Sequence, residues 1–381
     1  MREVSKKIMA AEPTTQMRAA VLHEGGKPIV IEDDIDIRDP RVGEVRVAVK
    51  HCGLCHSDLS IADGSFPAPA PIVLGHEASG VVDAVGEGVE GLSPGDHVVL
   101  TPCPPCGNCY WCIRNEHSHC VNMMGIITNA LPDGTTGLSR RGETVYRGVG
   151  VGGFAQYVVT PATGAVKIPK DVPLDVACVI GCAIQTGVGA VLNTAEVEEG
   201  ATVLVLGLGG IGISVCQGAR LAGASRIIVS DPVPERREMA THFGATDLID
   251  PGEVDVAARV REITEVGVDY AFEAAGVAAL TEVGIAAARN GGTTVAVGAP
   301  PIDQNVNLGP AAIFTISGKK LLGCVLGGCN SLREVPRMID LYRAGRLDLE
   351  SMITERRPIE EINDAMLDMT KGRGIRTVLN L

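Results

Sequence analysis

The chain has 381 residues, more than a single hydrophobic core usually supports, so its length predicts two domains. Its formal net charge of −13 argues against binding to nucleic acid or to an anionic membrane surface, since both are themselves negatively charged. Twelve cysteines without an evident secretory signal or membrane-spanning run predict metal ligands in a cytoplasmic protein rather than a disulfide framework.

Patterns along the chain predict an α/β protein. Residues 1–16 are predicted to form a disordered extension, and MRAAVL at 17–22 is the first predicted strand. Short apolar runs separated by Gly and Pro continue to about residue 159 and indicate further strands. Between about 187 and 297 strand and helix patterns alternate, which predicts βαβ units and a parallel sheet with helices on both faces. The final run, IRTVLNL at 375–381, is expected to return to the first domain.

A compact group of cysteines lies in CPPCGNCYWCIRNEHSHC, residues 103–120. Four of them have the spacing of a closed, tetrahedral, structural zinc site. These are Cys106, Cys109, Cys112 and Cys120. Cys103 is interpreted as a free thiol beside the site. His117 and His119 are interpreted as solvated loop residues, although either could replace a thiolate.

A second metal site is predicted from three separate segments. They read CGLCHSD at 52–58, GHEASG at 75–80 and GCAIQTG at 181–187, and their candidate ligands are Cys55, His76 and Cys182. Two thiolates and one imidazole leave a fourth position open for water or substrate, as a catalytic zinc requires. Each residue alone is weak evidence, because single buried Cys and His residues are common in cores.

A glycine-rich turn, GLGGIG at 207–212, follows the apolar run TVLVL and opens a helical pattern. This context predicts a dinucleotide site, because the glycines let a pyrophosphate approach the helix N-terminus. The next strand ends at Asp231, whose carboxylate would bind ribose hydroxyls and repel a 2′-phosphate, so NAD is favoured over NADP. Arg236 and Arg237 leave NADP as the alternative cofactor, because arginines can pair with that phosphate.

The segment GHEASGVVDAVGEGVEGLSPGDHV at 75–98 resembles the signature of the zinc-dependent medium-chain alcohol dehydrogenases. The CHSD segment, the cysteine spacing and the glycine turn also occur in that family's order. The resemblance implies a mostly β, GroES-like catalytic domain at 17–183 and 326–381 that holds both zinc sites. It implies a Rossmann NAD-binding domain at 184–325. The implied activity is reversible hydride transfer between a primary or secondary alcohol and NAD, with two zinc ions per chain and a small-molecule alcohol or aldehyde as substrate.

The resemblance also implies roles for individual residues. Cys55, His76 and Cys182 would bind the catalytic zinc. Glu77 would lie behind the metal as a transient ligand, and Asp58 would orient His76, whereas the alternative for both carboxylates is a surface ion pair. The contacts implied for NAD are His56, Thr186, Gly207, Gly209, Gly210, Ile211, Gly212, Asp231, Arg236, Val297 and Arg376. For Arg376 the alternative is a solvated cation.

The resemblance further implies that one hydroxyl and two pocket residues lie beside the substrate. Ser57 would hydrogen-bond the alcohol and accept its proton. Ser60 stands where many relatives have a histidine, so the proton route is predicted to end without a protein base. Phe66 and Pro102 are expected in the substrate pocket. The small Pro102 stands where relatives often have an aromatic ring, which favours bulky or aromatic alcohols.

The long segment 121–150 resembles that of the dimeric members of the family. The resemblance therefore implies a homodimer, in which strands around 306–315 would pair across the two-fold axis. Two enzymatic alternatives remain, a thiol-dependent formaldehyde dehydrogenase and a nicotinoprotein that retains NAD through turnover. A non-enzymatic binding or structural protein on the same scaffold is disfavoured, because all seven predicted zinc ligands are present.

Overall fold

The structure is a computed structural model that describes residues 13–381. Its strands are β1 (Thr14–Leu22), β2 (Val30–Arg38), β3 (Glu44–Gly53), β4 (Ile72–Val73), β5 (Glu77–Val85), β6 (His97–Leu100), β7 (Leu138–Arg140), β8 (Glu143–Arg147), β9 (Tyr157–Pro161), β10 (Ala165–Ile168), β11 (Thr202–Leu206), β12 (Arg226–Ser230), β13 (Asp247–Ile249), β14 (Val268–Glu273), β15 (Ala288–Ala296), β16 (Lys320–Gly323), β17 (Ile353–Pro358) and β18 (Arg376–Asn380). Its α-helices are α1 (His56–Ala62), α2 (Met124–Thr128), α3 (Leu174–Ala177), α4 (Ala183–Gly189), α5 (Gly210–Ala222), α6 (Pro234–His242), α7 (Val256–Thr264), α8 (Ala278–Ala287), α9 (Ala311–Ser317), α10 (Ser331–Arg343) and α11 (Ile362–Thr370).

The first part of the chain folds mainly as antiparallel β-structure. Strands β1, β2, β7, β8 and β4 form a closed barrel, and a second sheet has the order β10-β6-β5-β3-β18-β17 with β9 also paired to β3. In β3 the apolar residues Val45, Val47 and Val49 alternate with partly exposed ones, so one face of the strand packs into the core. The last strand, β18, pairs antiparallel with β3 and therefore returns to this sheet.

The middle of the chain forms a parallel sheet with the strand order β13-β12-β11-β14-β15-β16. This is the order of a doubly wound dinucleotide-binding fold, in which the strand order reverses at the central strand. Residues Val203, Leu204, Val205 and Leu206 of β11 are all buried, as expected for a strand covered by helices on both faces. The glycine turn follows β11 at the carboxyl edge of the sheet, where such folds bind their ligands.

Helix α4 and the turn before it connect the second sheet to the parallel sheet. Their apolar residues belong to the largest core cluster, which also includes residues of β10, β11, α5 and α10. Within residues 13–381 no single helix is long and apolar enough to cross a membrane, although the bent pair Leu174–Gly181 and Ala183–Thr194 passes that test by length and composition.

Two expectations need correction. Strand β1 begins at Thr14 and its first residues pair with β2, so 14–16 are not part of an extension; residues 1–12 lie outside the described part of the chain. The segment 306–315 contains no strand: residues 301–310 form a loop, and Pro310 precedes helix α9. Prolines lack the backbone donor that a strand needs, and three of them lie in 300–310.

Candidate active site

Asp58 fixes two of the three predicted catalytic zinc ligands. Cys55 is the N-cap residue of α1, and its backbone N–H donates to Asp58 Oδ2 at 3.1 Å. Asp58 Oδ1 accepts from the backbone of Gly75 at 2.9 Å and lies 3.2 Å from Nδ1 of His76. Asp58 and His76 are buried, so the alternative of a surface ion pair for this carboxylate is wrong.

The chain brings the three predicted ligands together although they are far apart in sequence. Cys182 is the N-cap residue of α4, and candidate ligand atoms of Cys55, His76, Glu77 and Cys182 all lie within 4.8 Å of one another. Thiolates bound tetrahedrally at a Zn–S distance of about 2.3 Å are themselves about 3.8 Å apart. The cluster therefore has the dimensions of a single zinc site.

The electrostatics of the cluster favour a cation. A hydrogen bond with Cys182 holds the pKa of the Cys55 thiol well below its ordinary value, against the effect of burial. Burial lowers the pKa of His76, but the charges of Asp58 and Cys55 raise it well above its ordinary value. The same anionic field that draws a proton to the imidazole would attract Zn²⁺.

Glu77 is fully buried, so the surface ion pair is wrong for this carboxylate as well. Burial raises its pKa to about 7, and neither of its carboxylate oxygens accepts a hydrogen bond from the described residues. The cation nearest to it is Arg376, whose Nη2 lies 3.4 Å from Glu77 Oε1. An unpartnered carboxylate oxygen beside two thiols and an imidazole fits a metal ion at this position.

The other four cysteines form a separate cluster. Ligand sulfurs of Cys106, Cys109, Cys112 and Cys120 lie within 4.8 Å of one another. Backbone hydrogen bonds from Cys112 and Val121 lower the pKa of Cys109 to about 6. Backbone N–H groups also donate to the sulfur of Cys120, although burial outweighs them and raises the pKa of that thiol. The donor set and its spacing fit a tetrathiolate zinc site.

Cys103 lies next to these sulfurs without joining them. Its Sγ is 3.7 Å from the carbonyl oxygen of His117, and burial raises its pKa to about 12. His119 is exposed and His117 is partly exposed. Neither histidine belongs to a metal cluster among the described residues.

A cleft with a volume of about 540 Å³ runs along the carboxyl edge of the parallel sheet. Its size is in the usual range for small-molecule and cofactor sites. The predicted NAD contacts among its lining residues are His56, Gly207, Gly209, Gly210, Ile211, Asp231, Arg236 and Arg376. Cys55 also lines this cleft, so the first metal cluster opens into the same space as the glycine turn.

The turn itself is shaped for close approach of a ligand. Gly207 has φ +89°, a left-handed conformation that favours glycine. A Cβ added to Gly209 would meet nothing within 4 Å, so its backbone faces open space. A Cβ on Gly210 would lie 2.1 Å from Nη2 of Arg376, which puts a buried guanidinium directly against the turn. These features fit a cofactor with a negatively charged diphosphate.

Two backbone N–H groups hold the carboxylate of Asp231, and the sequence did not predict these contacts. Its Oδ2 accepts from Leu208 N at 2.7 Å and its Oδ1 accepts from Val233 N at 2.8 Å. The side chain is buried and lines the cleft. The carboxylate therefore shapes the glycine turn in addition to any contact with a ribose.

Some predicted residues lie away from the cleft wall. Thr186, Gly212 and Val297 do not line it: Thr186 Oγ1 is 3.9 Å from Cys182 Sγ, and Gly212 packs against Gly207. Phe66 lines a different cavity of about 210 Å³, and no residue of the metal cluster contributes to that cavity. Pro102 is buried beside the cysteine-rich segment.

Several lining residues were not predicted. Pro232, Ala274 and Ala275 follow the ends of β12 and β14, and the rule that ligands bind at the carboxyl ends of parallel strands would have found them. Residues 369–372 also line the cleft, but they reach it from the end of α11. No local pattern in the sequence predicts that the end of α11 reaches the cleft.

Comparisons with known proteins agree with this geometry. Residues 41–170 match the family model of the alcohol dehydrogenase GroES-like domain, and residues 210–344 match that of the zinc-binding dehydrogenases. The chain is 38% identical over 367 residues to an S-(hydroxymethyl)glutathione dehydrogenase of Escherichia coli, covering 95% of this chain and 99% of the relative. This chain belongs to the zinc-dependent alcohol dehydrogenase family.

Solved structures extend the family assignment to the whole fold. An alcohol dehydrogenase zinc-binding domain protein from Burkholderia ambifaria matches with a TM-score of 0.91 and 38% identity, over 97% of this chain and 100% of that one. Benzyl alcohol dehydrogenase from Acinetobacter calcoaceticus matches with a TM-score of 0.90 and 32% identity, over 96% of this chain and 99% of that one. The protein is thus an NAD-linked oxidoreductase with zinc and NAD as cofactors, and its GroES-like and Rossmann folds are confirmed.

Proposed function

We propose that this protein is an NAD-dependent alcohol dehydrogenase acting on primary or secondary alcohols, including bulky or aromatic ones. The observation that carries the proposal is the shared cleft: Cys55 of the metal cluster and the turn at Gly207–Ile211 line one cavity. Hydride transfer needs the alcohol carbon and the nicotinamide side by side, and a cluster that opens into the nucleotide cleft supplies that arrangement.

Each side chain of the cluster has a role in this proposal. Cys55, His76 and Cys182 hold the catalytic zinc, and the tetracysteine cluster holds the structural zinc. When bound, zinc supplies a Lewis acid to the alcohol oxygen and NAD accepts the hydride. Asp58 holds Nδ1 of His76, which leaves Nε2 free as the ligand atom.

Ser57 and Arg376 act on the substrate and the cofactor. Ser57 is exposed and its Oγ lies 4.0 Å from Cys55 Sγ, so it is within reach of an alcohol at the cluster. It can accept the alcohol proton while it releases its own hydroxyl proton towards solvent. Arg376 is buried, lines the cleft and donates to the carbonyl of Leu54 at 2.6 Å. That bond holds its charge next to the glycine turn, where it would bind the diphosphate.

Aromatic alcohols are proposed as substrates for two reasons. A benzyl alcohol dehydrogenase is among the similar solved structures. The cleft shared by Cys55 and the glycine turn has a volume of about 540 Å³. The test is a panel of aliphatic and aromatic alcohols with NAD and with NADP, followed at the nicotinamide absorbance. We expect the highest kcat/KM with an aromatic alcohol and NAD; activity with short aliphatic alcohols only would refute the aromatic preference.

The similarity to the Escherichia coli relative favours a second candidate, oxidation of S-(hydroxymethyl)glutathione. Formaldehyde with and without glutathione distinguishes the two candidates. Activity that requires both compounds and exceeds that with every simple alcohol would establish the second candidate. Gel filtration tests the nicotinoprotein alternative, since a dehydrogenase in which NAD exchanges at each turnover would lose the cofactor on the column.

We also propose a homodimer built on the far edge of the parallel sheet. Among the described residues β16 pairs only with β15, and α9 buries none of its residues. Ile302 and Ile316 are each 79% exposed on this face, which leaves an apolar surface for a second copy. Light scattering should give the mass of two chains, and Ile316→Glu should shift it towards one; a tetramer mass would refute the dimer.

A further inference from the structure

A short crossover, Leu326–Gly328, leads from the parallel sheet into α10. Its three residues have φ values of 47°, 65° and 64°, all in the left-handed region. Glycine adopts this conformation freely, but Leu326 does not, and its side chain is nevertheless buried at 7% exposure. Such a backbone persists only where the surroundings hold it in place.

The Leu326 side chain packs against the tetracysteine cluster. We name residues 103–123 the cysteine lobe. The apolar cluster around its sulfurs contains Cys103, Cys112 and Cys120, with Cys106, Cys109 and Met123 packed against them. Within residues 13–381, Leu326 is the one member of this cluster from outside the lobe. Leu326 thus supplies the apolar contact between the crossover and the sulfur cluster of the lobe.

The next residues of the crossover are fitted to α4. A Cβ on Gly327 would lie 2.1 Å from the carbonyl oxygen of Gln185 and 2.8 Å from Cα of Gly189. The thiol of Cys329 donates to the carbonyl of Gln185 at 3.4 Å, and the side-chain amide of Asn193 donates to the carbonyl of Gly327 at 3.4 Å. A shift of the crossover would therefore displace α4, whose N-cap residue is Cys182.

Helix α4 in turn packs against the helix that begins at the glycine turn. A Cβ on Gly187 would lie 2.4 Å from Cβ of Ser214 and 2.5 Å from the carbonyl oxygen of Ile211. Ile211 lines the nucleotide cleft. Close contacts therefore run without a gap from the cysteine lobe through Leu326 and α4 to the cofactor site, and tightly packed interiors transmit displacement.

We propose that Leu326 is a positioning residue that couples the cysteine lobe to the NAD cleft, so that zinc in the lobe and NAD in the cleft favour each other's binding. This rests on the proposed structural zinc site. Coupling between two sites is reciprocal, so NAD must raise the affinity of the lobe for zinc by the same factor that zinc raises the affinity for NAD. We expect a factor of about five or more, at the lower end of typical couplings.

The test is zinc competition on the holoenzyme. A chromogenic chelator is titrated with and without saturating NAD, and the same titration in a Cys182→Ser background assigns the remaining zinc to the lobe. NADH binding is followed by the fluorescence of Trp111, which is the chain's only tryptophan and lies in the lobe. Wild type should bind lobe zinc at least about five-fold more tightly with NAD. Leu326→Ala should bring this factor close to one while retaining two zinc ions at low chelator.

Leu332→Ala is the matched control, because Leu332 is 43% exposed in the same region and belongs to no core cluster. It should keep the wild-type factor. A wild-type factor below about two, or a wild-type factor retained in Leu326→Ala, overturns the inference. The wild-type comparison needs no substitution, so it tests the inference even where Leu326→Ala does not fold. A lobe without zinc in the isolated enzyme would instead refute the structural zinc assignment itself.

Discussion

Alanine at two glycines of the same turn should separate folding from cofactor binding. A Cβ on Gly212 would lie 1.9 Å from the carbonyl oxygen of Gly207 and 2.9 Å from its carbon. These are backbone atoms in the turn, so the overlap can be relieved only by moving the chain by more than about 1 Å, and overpacking of this kind costs about 1–3 kcal/mol. We expect Gly212→Ala to lie near the upper end of that range.

Gly209→Ala should behave differently. Gly209 has φ −72° and ψ −169°, which any residue adopts, and a Cβ there would meet nothing within 4 Å. Alanine at this N-cap position should therefore cost less than about 1 kcal/mol. Its methyl group would, however, occupy the open space in front of the turn where the diphosphate is proposed to lie, so NADH binding should weaken by about ten-fold or more.

Thermal unfolding without cofactor and NADH titration measure the two effects independently. For unfolding of the nucleotide-binding domain, whose size gives about 2–4 °C per kcal/mol, Gly212→Ala should lower the apparent Tm by about 4–12 °C, and Gly209→Ala by no more than about 4 °C. An equal decrease in Tm in the two variants would refute the reasoning. The reasoning also fails if Gly209→Ala binds NADH with the wild-type Kd.

Three further predictions concern individual side chains. Cys106→Ser should reduce zinc to about one per chain and destabilise the fold, whereas Cys182→Ser should abolish turnover with the fold retained, as metal analysis and circular dichroism will show. Asp231→Ala should reduce the preference for NAD over NADP by about ten-fold and lower Tm as well, because two backbone N–H groups lose their acceptor; equal use of both cofactors by wild type would contradict this. Ser57→Ala should reduce the rate of alcohol oxidation by about 10²–10⁴-fold. Ser60→Ala should leave the rate of hydride transfer and its pH dependence nearly unchanged. A loss of about ten-fold or more in Ser60→Ala would show that this hydroxyl belongs to the proton route.

Strong local patterns made much of the fold predictable. The alternation of strands and helices between 187 and 297 predicted the parallel sheet, and the glycine turn marked its central strand. The barrel closure could not be foreseen, since it depends on β7 and β8, two short strands in the long segment 121–150. The expected strands at 306–315 were wrong because Pro310 interrupts the segment and helix α9 begins directly after it.

The candidate site shows the same division between local and distant information. Within the cysteine lobe the ligand spacing was sufficient, because all four sulfurs belong to one short stretch of chain. The other cluster was suggested by three separate segments, but its ligand roles depended on the family resemblance, since the ligands at 55, 76 and 182 have no common spacing. Asp231 was found by its distance from the turn, but its two backbone partners, Leu208 and Val233, depend on how β11 and β12 lie side by side.

The surroundings of Arg376 could not be predicted from any local sequence pattern. It begins the last strand, β18, yet its guanidinium lies beside three sequence-distant groups: the carbonyl of Leu54, the carboxylate of Glu77 and the backbone of Gly210. A buried cation is stable only when its charge is offset, and the neighbouring charge of Glu77 raises the pKa of Arg376 against the opposing effect of burial. Pairing of the last strand with β3 therefore brings one charge between the metal cluster and the nucleotide cleft. Burial raises the pKa of Glu77 to about 7, so at neutral pH this carboxylate balances the charge in part. A bound diphosphate would share the same charge, so metal and cofactor would act on the same arginine.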